Sequence, residues 1–219
     1  MAGAQRDPLA PLAEAIRVVT GRAASAAERE LFSRYLDLLL VWNRTHRMTA
    51  LSSPVEIGRV LFQDSLLLLP LLPGGGIKVV DIGAGTGIPG IPLRIVEPRI
   101  QLTLIEAKRK RVSFLSALKR ELALADLEIL EGRAEEIIKQ HPDKLGVFDV
   151  ALSRAIAQTQ GFLTAVAGYL KPSGVFIAPG PPKPAKLPSM PATLAARWEV
   201  VPFPTLGVRR SFLIASRNP

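Results

Sequence analysis

The sequence predicts an α/β protein: a doubly wound, mostly parallel seven-stranded sheet of Rossmann-like topology with an N-terminal helical extension. Three observations predict it. From Ile77 onward, short apolar runs alternate with helix-like stretches, which calls for right-handed crossovers and a parallel sheet covered on both faces. The first run ends in Asp81-Ile82-Gly83-Ala84-Gly85-Thr86-Gly87-Ile88-Pro89-Gly90, a buried strand entering a glycine turn. Ahead of it, apolar residues recur only at helical spacing.

In order, Leu31, Phe32, Tyr35, Leu36, Leu39 and Trp42 mark the buried face of a helix. A second helix is expected from about Pro54 to Leu69, capped by Ser52 or Ser53, with proline in its first turn. Pro73-Gly74-Gly75-Gly76 breaks the pattern, so the chain divides into an extension over 1–73, packed on the core, and a sheet unit over 74–219. Strands are expected at Ile77–Ile82, Leu102–Glu106, Leu127–Leu130, Val147–Leu152 and Gly174–Ala178. Helices are expected from about Gly90, at Lys108–Leu122, near Ala134–Lys139 and near Gln158–Leu170. Trp198–Phe203 and Ser211–Ser216 make a closing antiparallel pair at the sheet edge. Between them and the fifth strand, residues 179–191 hold six prolines and read as a stiff loop carrying Lys183 and Lys186.

The chain has 219 residues, 48% of them hydrophobic, enough for one α/β domain with a small extension. Its net charge of +9 favours a polyanionic partner, nucleic acid or an anionic membrane surface. It has no cysteine, which excludes disulfides, thiolate metal sites and a cysteine nucleophile and fits a reducing cytoplasm. The N-terminus lacks the apolar core of a signal peptide, and the run from Ser65 to Leu72 is broken by Pro70 and too short to span a bilayer. A cytoplasmic monomer without membrane contact is expected.

The glycine segment implies an adenosine-containing ligand, because Glu106, 25 residues after Asp81 at the tip of the next strand, can accept both hydroxyls of a ribose. Read as Gly85-x-Gly87-x-x-Gly90, the segment matches the dinucleotide fingerprint. That register puts Pro89 in the turn and an acid just ahead of it, where it would repel a pyrophosphate. Read as Asp81-x-Gly83-x-Gly85-x-Gly87, the carboxylate favours the ammonium and sulfonium of S-adenosylmethionine. The second register is preferred; a nicotinamide dinucleotide and a ligand-free structural turn stay open. After the third strand, Gly132-Arg133-Ala134-Glu135-Glu136 offers an amide and a carboxylate to an adenine edge, or simply opens a helix with acids at its positive end. Arg154, past the fourth strand, can hold a cofactor carboxylate or a substrate phosphate. Lys108, Arg109, Lys110 and Arg111 crowd a helix start, where basic charge opposes the dipole. They make either a phosphate contact or a solvated face, and Arg210 extends the basic surface.

Together these residues resemble the bacterial ribosomal RNA small-subunit methyltransferase G family, also called glucose-inhibited division protein B. The resemblance rests on Trp42-Asn43 with Thr49, Asp64-Ser65, the segment from Asp81 to Leu93, Glu106, Lys110-Arg111-Val112, Phe114-Leu115, Arg133 to Glu136 and Ser153-Arg154-Ala155. It implies a Rossmann-like methyltransferase sheet and transfer of a methyl group from S-adenosylmethionine, leaving S-adenosylhomocysteine, to N7 of a guanine in 16S ribosomal RNA. The RNA would be either naked or in an assembling small subunit. It carries cofactor contact onto Gly83, Ile88, Glu106, Ala134, Glu135 and Arg154, within a turn that includes Asp81, Ala84, Gly85 and Gly87. Two positions depart from the family: Arg47 stands where Asn is usual, and Pro179-Gly180 where Lys-Gly is usual. If that lysine grips phosphate, the role is vacant here or has moved to Lys171, Lys183 or Lys186.

The chemistry agrees with the resemblance. N7 of guanine carries an in-plane lone pair and no proton, so its methylation needs alignment rather than a general base. The two histidines, His46 and His141, lie at no strand end, and C5 methylation of a pyrimidine would need the absent cysteine. Exocyclic-amine methylation usually calls on an Asn- or Asp-Pro-Pro-aromatic turn, where this chain has Ser153-Arg154-Ala155-Ile156. A non-catalytic RNA-binding protein of this fold and an NAD-dependent oxidoreductase stay as alternatives. No metal is expected.

Overall fold

Period-two alternation along β1 (Lys78–Ile82) sets the layers of the computed structural model, described for residues 7–154, 159–184 and 186–218. Val79 faces one core with Leu102 and Leu104 of β2 (Gln101–Glu106) and with Val150 and Leu152 of β4 (Phe148–Leu152). Val80 and Ile82 face the other, with Ile105, Phe148 and Ala151. The first core is roofed by the N-terminal helices together with α5 (Gly90–Val96) and α6 (Arg109–Glu121). The second is roofed by α7 (Ala134–Gln140) and α8 (Gln160–Tyr169).

With β3 (Glu128–Glu131), β5 (Leu170–Pro179), β6 (Leu194–Phe203) and β7 (Val208–Arg217), the sheet has seven strands in the order β3-β2-β1-β4-β5-β7-β6. The first five are parallel, and β7 runs antiparallel between β5 and β6. The expected doubly wound sheet and closing hairpin are therefore both present. Strand order reverses between β1 and β4, so the ligand cleft of such a sheet lies beyond the carboxyl ends of these two strands.

The extension begins with α1 (Ala10–Thr20) and α2 (Ala26–His46); Ser25 and Glu28 close a capping box at the start of α2. Its Leu12, Ile16, Phe32, Tyr35 and Leu39 join the same buried cluster as Val79 and Leu102. The single helix expected over Pro54–Leu69 is interrupted. It runs as α3 (Pro54–Ile57), a π-helical turn (Gly58–Gln63) and α4 (Asp64–Leu66), followed by a 3-10 turn over Leu69–Leu71. At Gly58 the backbone carbonyl of Pro8 occupies the place of a Cβ, so the extension closes on itself only with glycine there.

Two further expectations change. Pro179 is not loop but the last residue of β5, paired with Phe212; a strand end tolerates the missing amide. Gly180 donates its amide to the Ser211 carbonyl at 2.8 Å, and the Trp198 ring fills the space where a side chain would stand. Residues 155–158, including the expected start of α8 at Gln158, lie outside the described residues.

Arg47 closes α2 in left-handed geometry, φ 49° and ψ 59°. An L side chain pays for that conformation by a contact between its Cβ and the following carbonyl, which glycine lacks and asparagine partly offsets. Arg47→Gly is expected to stabilise the protein by about 1 kcal/mol. In thermal unfolding that is a rise of roughly 2–4 °C in Tm.

Candidate active site

The glycine turn between β1 and α5 is held by hydrogen bonds from three directions. Gly83 and Ala84 donate their amides to the Ile105 carbonyl at 2.8 and 3.1 Å, tying the turn to β2. Glu106 accepts the Gly85 amide through Oε2 at 2.8 Å and the Lys108 amide through Oε1 at 2.8 Å. The Tyr35 hydroxyl of α2 donates to the Thr86 carbonyl, and its ring packs 4.8 Å from that of Phe62. Gly83, Gly85 and Gly87 all have positive φ, at 73°, 60° and 86°. A Cβ on Gly87 would stand 2.6 Å from Ile91 Cδ1, so this residue is glycine for space as well as conformation.

Beyond the carboxyl ends of β1, β2 and β3 lies a cavity of about 300 Å³, at the lower end of ligand-sized pockets. Ile82, Ile105, Ala134 and Phe162 supply apolar wall, and Glu106, Glu135, Arg111 and Ser153 supply polar groups. Gly83 lines it with nothing within 4 Å of the place a Cβ would take, which leaves the backbone open to a ligand. Glu106 is 3% exposed. A carboxylate offers about four lone-pair sites, and the two amides occupy two. The remaining pair matches a ribose diol, so these residues fit an adenosine-bearing group.

A second cavity opens over β4, β5 and β7. It is lined by Ile88 and Pro89 of the turn, Arg154, Pro179, Arg210, Phe212 and, from the extension, Asp64 and Ser65. Consecutive residues Ser153 and Arg154 thus belong to different cavities. Of the expected cofactor residues, Gly83, Glu106, Ala134 and Glu135 meet in the first, and Ile88 and Arg154 in the second. Ala84, Gly85 and Gly87 lie in the turn between Gly83 and Ile88 and line neither cavity. Ala155 lies outside the described residues.

Asp81 is corrected. Its side chain shares the Val79 face of β1 by strand parity, and α5 covers that face. The carboxylate is fully buried, lines neither cavity, and accepts the Gly90 amide through Oδ2 at 2.9 Å. Oδ1 has no hydrogen-bond partner among the described residues. It therefore anchors α5 under the turn and opens onto neither cavity.

The basic residues also divide. Arg111 stands on the wall of the first cavity, its guanidinium 3.7 Å from Glu106. Lys110 reaches the His46 carbonyl at 3.0 Å and so closes the end of α2. Arg210 pairs with Asp64 at 2.9 Å in the second cavity. Lys171 pairs with Asp149 at 2.7 Å near the start of β4, the end of the sheet away from the cleft, so it cannot stand in for a cation at Pro179. Arg47, Lys108, Arg109, Lys183 and Lys186 are exposed. The sequence marks Tyr35 only as part of a buried helical face and Phe162 only as part of a helix, since nothing local marks a hydroxyl or ring that reaches a distant loop.

The strand order, the glycine turn off β1 and the carboxylate closing β2 define a methyltransferase-type α/β fold. An S-adenosylmethionine-dependent methyltransferase from Aquifex aeolicus superposes with a TM-score of 0.57 at 16% identity, covering 77% of this chain and 96% of that one. The family model for rRNA small subunit methyltransferase G matches residues 28–180, and the chain belongs to that family. A relative named ribosomal RNA small subunit methyltransferase G, from Caldanaerobacter subterraneus subsp. tengcongensis, is 40% identical over 152 residues, covering 68% of this chain and 62% of the relative. The same-named protein of Streptococcus pyogenes serotype M12 is 36% identical over 160 residues, covering 72% of this chain and 67% of its own length.

Burial pushes the Asp81 carboxyl from its usual 3.8 up to about 7; the Gly90 amide and the Arg154 charge pull it down, and Glu106 adds to the rise. Below about pH 4 the group is protonated in folded and unfolded chains alike and costs nothing. Between about pH 4 and 7 only the folded chain keeps the proton, so stability falls as pH rises. Above that range the full penalty, on the order of 4 kcal/mol, is present. Asp81→Asn is expected to flatten the dependence: its Tm matches the parent's near pH 4 and exceeds it at pH 8 in thermal scans across that range.

Proposed function

We propose that this protein transfers a methyl group from S-adenosylmethionine to N7 of a guanine in 16S ribosomal RNA. The observation that carries the reading is the adenosine-fitting cavity of Gly83 and Glu106 set against a second cavity at the same end of the sheet, divided from it by Ser153 and Arg154. Family membership supports the reaction and the substrate. When bound, S-adenosylmethionine supplies an activated methyl group on a sulfonium.

This chain's own residues bind and orient. Glu106 accepts the ribose hydroxyls with its two free lone-pair sites, while its amide bonds keep the glycine turn at close range. Gly83 lets the backbone approach without a side chain. Ala134 and Glu135 receive the adenine edge, and Arg154 orients the target nucleotide at the second cavity. No side chain has to remove a proton from N7. His46 and His141 line neither cavity, in keeping with a reaction that runs on alignment. Residues 1–73 act as a helical extension that braces the turn, and 74–219 as the transfer unit. A ribosomal RNA substrate supports action in the cytoplasm, and we propose that the protein works there as a monomer. Among the described residues no helix is long and apolar enough to cross a membrane.

The direct test maps N7-methylguanine in 16S ribosomal RNA from cells with and without the gene; one modification disappears with the gene and returns with a plasmid copy. An unchanged map rejects the reading, and calorimetric binding of NADH without S-adenosylhomocysteine would turn it toward an oxidoreductase. Gly83→Asp is expected to abolish S-adenosylhomocysteine binding, because its side chain enters the cavity with a charge beside Glu106 and at a φ of 73°. Arg154→Ala is expected to keep that affinity and to lower turnover on the order of a hundredfold, the effect of a misplaced reactant. Parental turnover in this variant removes the role given to Arg154.

A further inference from the structure

Among the described residues lining the second cavity, one side chain only accepts hydrogen bonds. Of its polar lining residues, Arg154 and Arg210 are donors, and the Ser65 hydroxyl donates to the Leu61 carbonyl one turn back. Asp64 is the remaining one. It sits at the first position of α4, directly after the π-helical turn, with its side chain 35% exposed. Arg210 approaches from β7 and binds only Oδ1, at 2.9 Å. Oδ2 and the unused lone pair of Oδ1 stay available.

We infer that Asp64 is the residue that reads the base as guanine. The inference rests on the reading of the protein as a guanine-N7 methyltransferase. Guanine presents two adjacent donors, N1–H and the N2 amino group, which a carboxylate can accept together; adenine lacks the N1 proton. The donor-rich side chains cannot perform this task. An arginine reading guanine engages O6 and N7, and N7 must stay free to receive the methyl group. Arg210 is then a positioning residue: its bond to Oδ1 fixes the carboxylate in the cavity before the base arrives. The π-helical turn contributes to the same end by rotating Asp64 and Ser65 out of the register that a continuous helix from Pro54 would impose.

The test compares ligated 16S ribosomal RNA carrying guanosine or inosine at the methylated position, inosine lacking only the N2 amino group. With the parent protein, inosine is expected to lower kcat/KM roughly tenfold to a hundredfold, the range for one good bidentate base contact. Asp64→Asn is expected to be slowed to a similar degree on guanosine and to treat the two RNAs within about twofold, while binding S-adenosylhomocysteine like the parent. Arg210→Gln keeps the carboxylate and is expected to keep the preference for guanosine at a reduced rate; it serves as the probe if Asp64→Asn fails to fold. A full guanosine preference in Asp64→Asn, or its loss in Arg210→Gln alone, overturns the assignment. A parent protein that methylates neither RNA overturns the underlying function instead, and so marks the two failures apart.

Discussion

The structure depends on how the glycine turn's backbone is satisfied. A turn that must meet a ligand without side chains has only its amides and carbonyls to anchor it, and each buried one needs a partner. Here β2 supplies the partners on one side: the Ile105 carbonyl takes two amides and the Glu106 carboxylate a third. Asp81 secures the start of α5 from beneath, and Tyr35 secures the Thr86 carbonyl from the extension. At the two bonds that are fully buried, Asp81 to Gly90 and Tyr35 to Thr86, removing the partner strands a polar group, a loss of about 1–3 kcal/mol in similar sites.

These anchors explain why acidic residues stand at the tips of two adjacent strands. The two carboxylates look alike in sequence and do different work. Glu106 stands at the strand end where one side remains open to the cavity, so it has lone pairs that the two amides do not use. Asp81 lies under α5, where burial raises its proton affinity, and its remaining oxygen has no partner among the described residues. One carboxylate borders an open cavity; the other holds the backbone at a cost in stability at alkaline pH.

Most of the sheet was legible because its signals are local. Period-two runs of Val, Ile and Leu, the glycine punctuation and the helical stripe of Phe32, Tyr35 and Leu39 each lie within a few residues of the feature that they specify. Parity along β1 was also legible: Asp81 is two residues from Val79 and shares its face, a count that would have placed it beneath a helix. What was not legible depends on residues far apart in the chain. Lys110 is held by a carbonyl 64 positions away, and Arg210 by a carboxylate 146 positions away. Neither partner is announced near the basic residue, so both read as free surface charge. The separation of Arg154 from Glu106 follows from strand order, which alternation alone does not reveal.

The bond between Tyr35 and Thr86 bears on how such a chain can change over time. A helical segment joined to a domain by a bare linker can be exchanged, shortened or replaced by recombination while the domain continues to work. Here the segment's hydroxyl completes the turn at the centre of the sheet's cleft, and Phe62 of the same segment supports the ring that carries it. The first seventy residues and the glycine turn are thus inherited as one unit. Drift in one will be tolerated only with a matching adjustment in the other, although the break at Gly74-Gly75-Gly76 gives the chain the outward form of two separable parts.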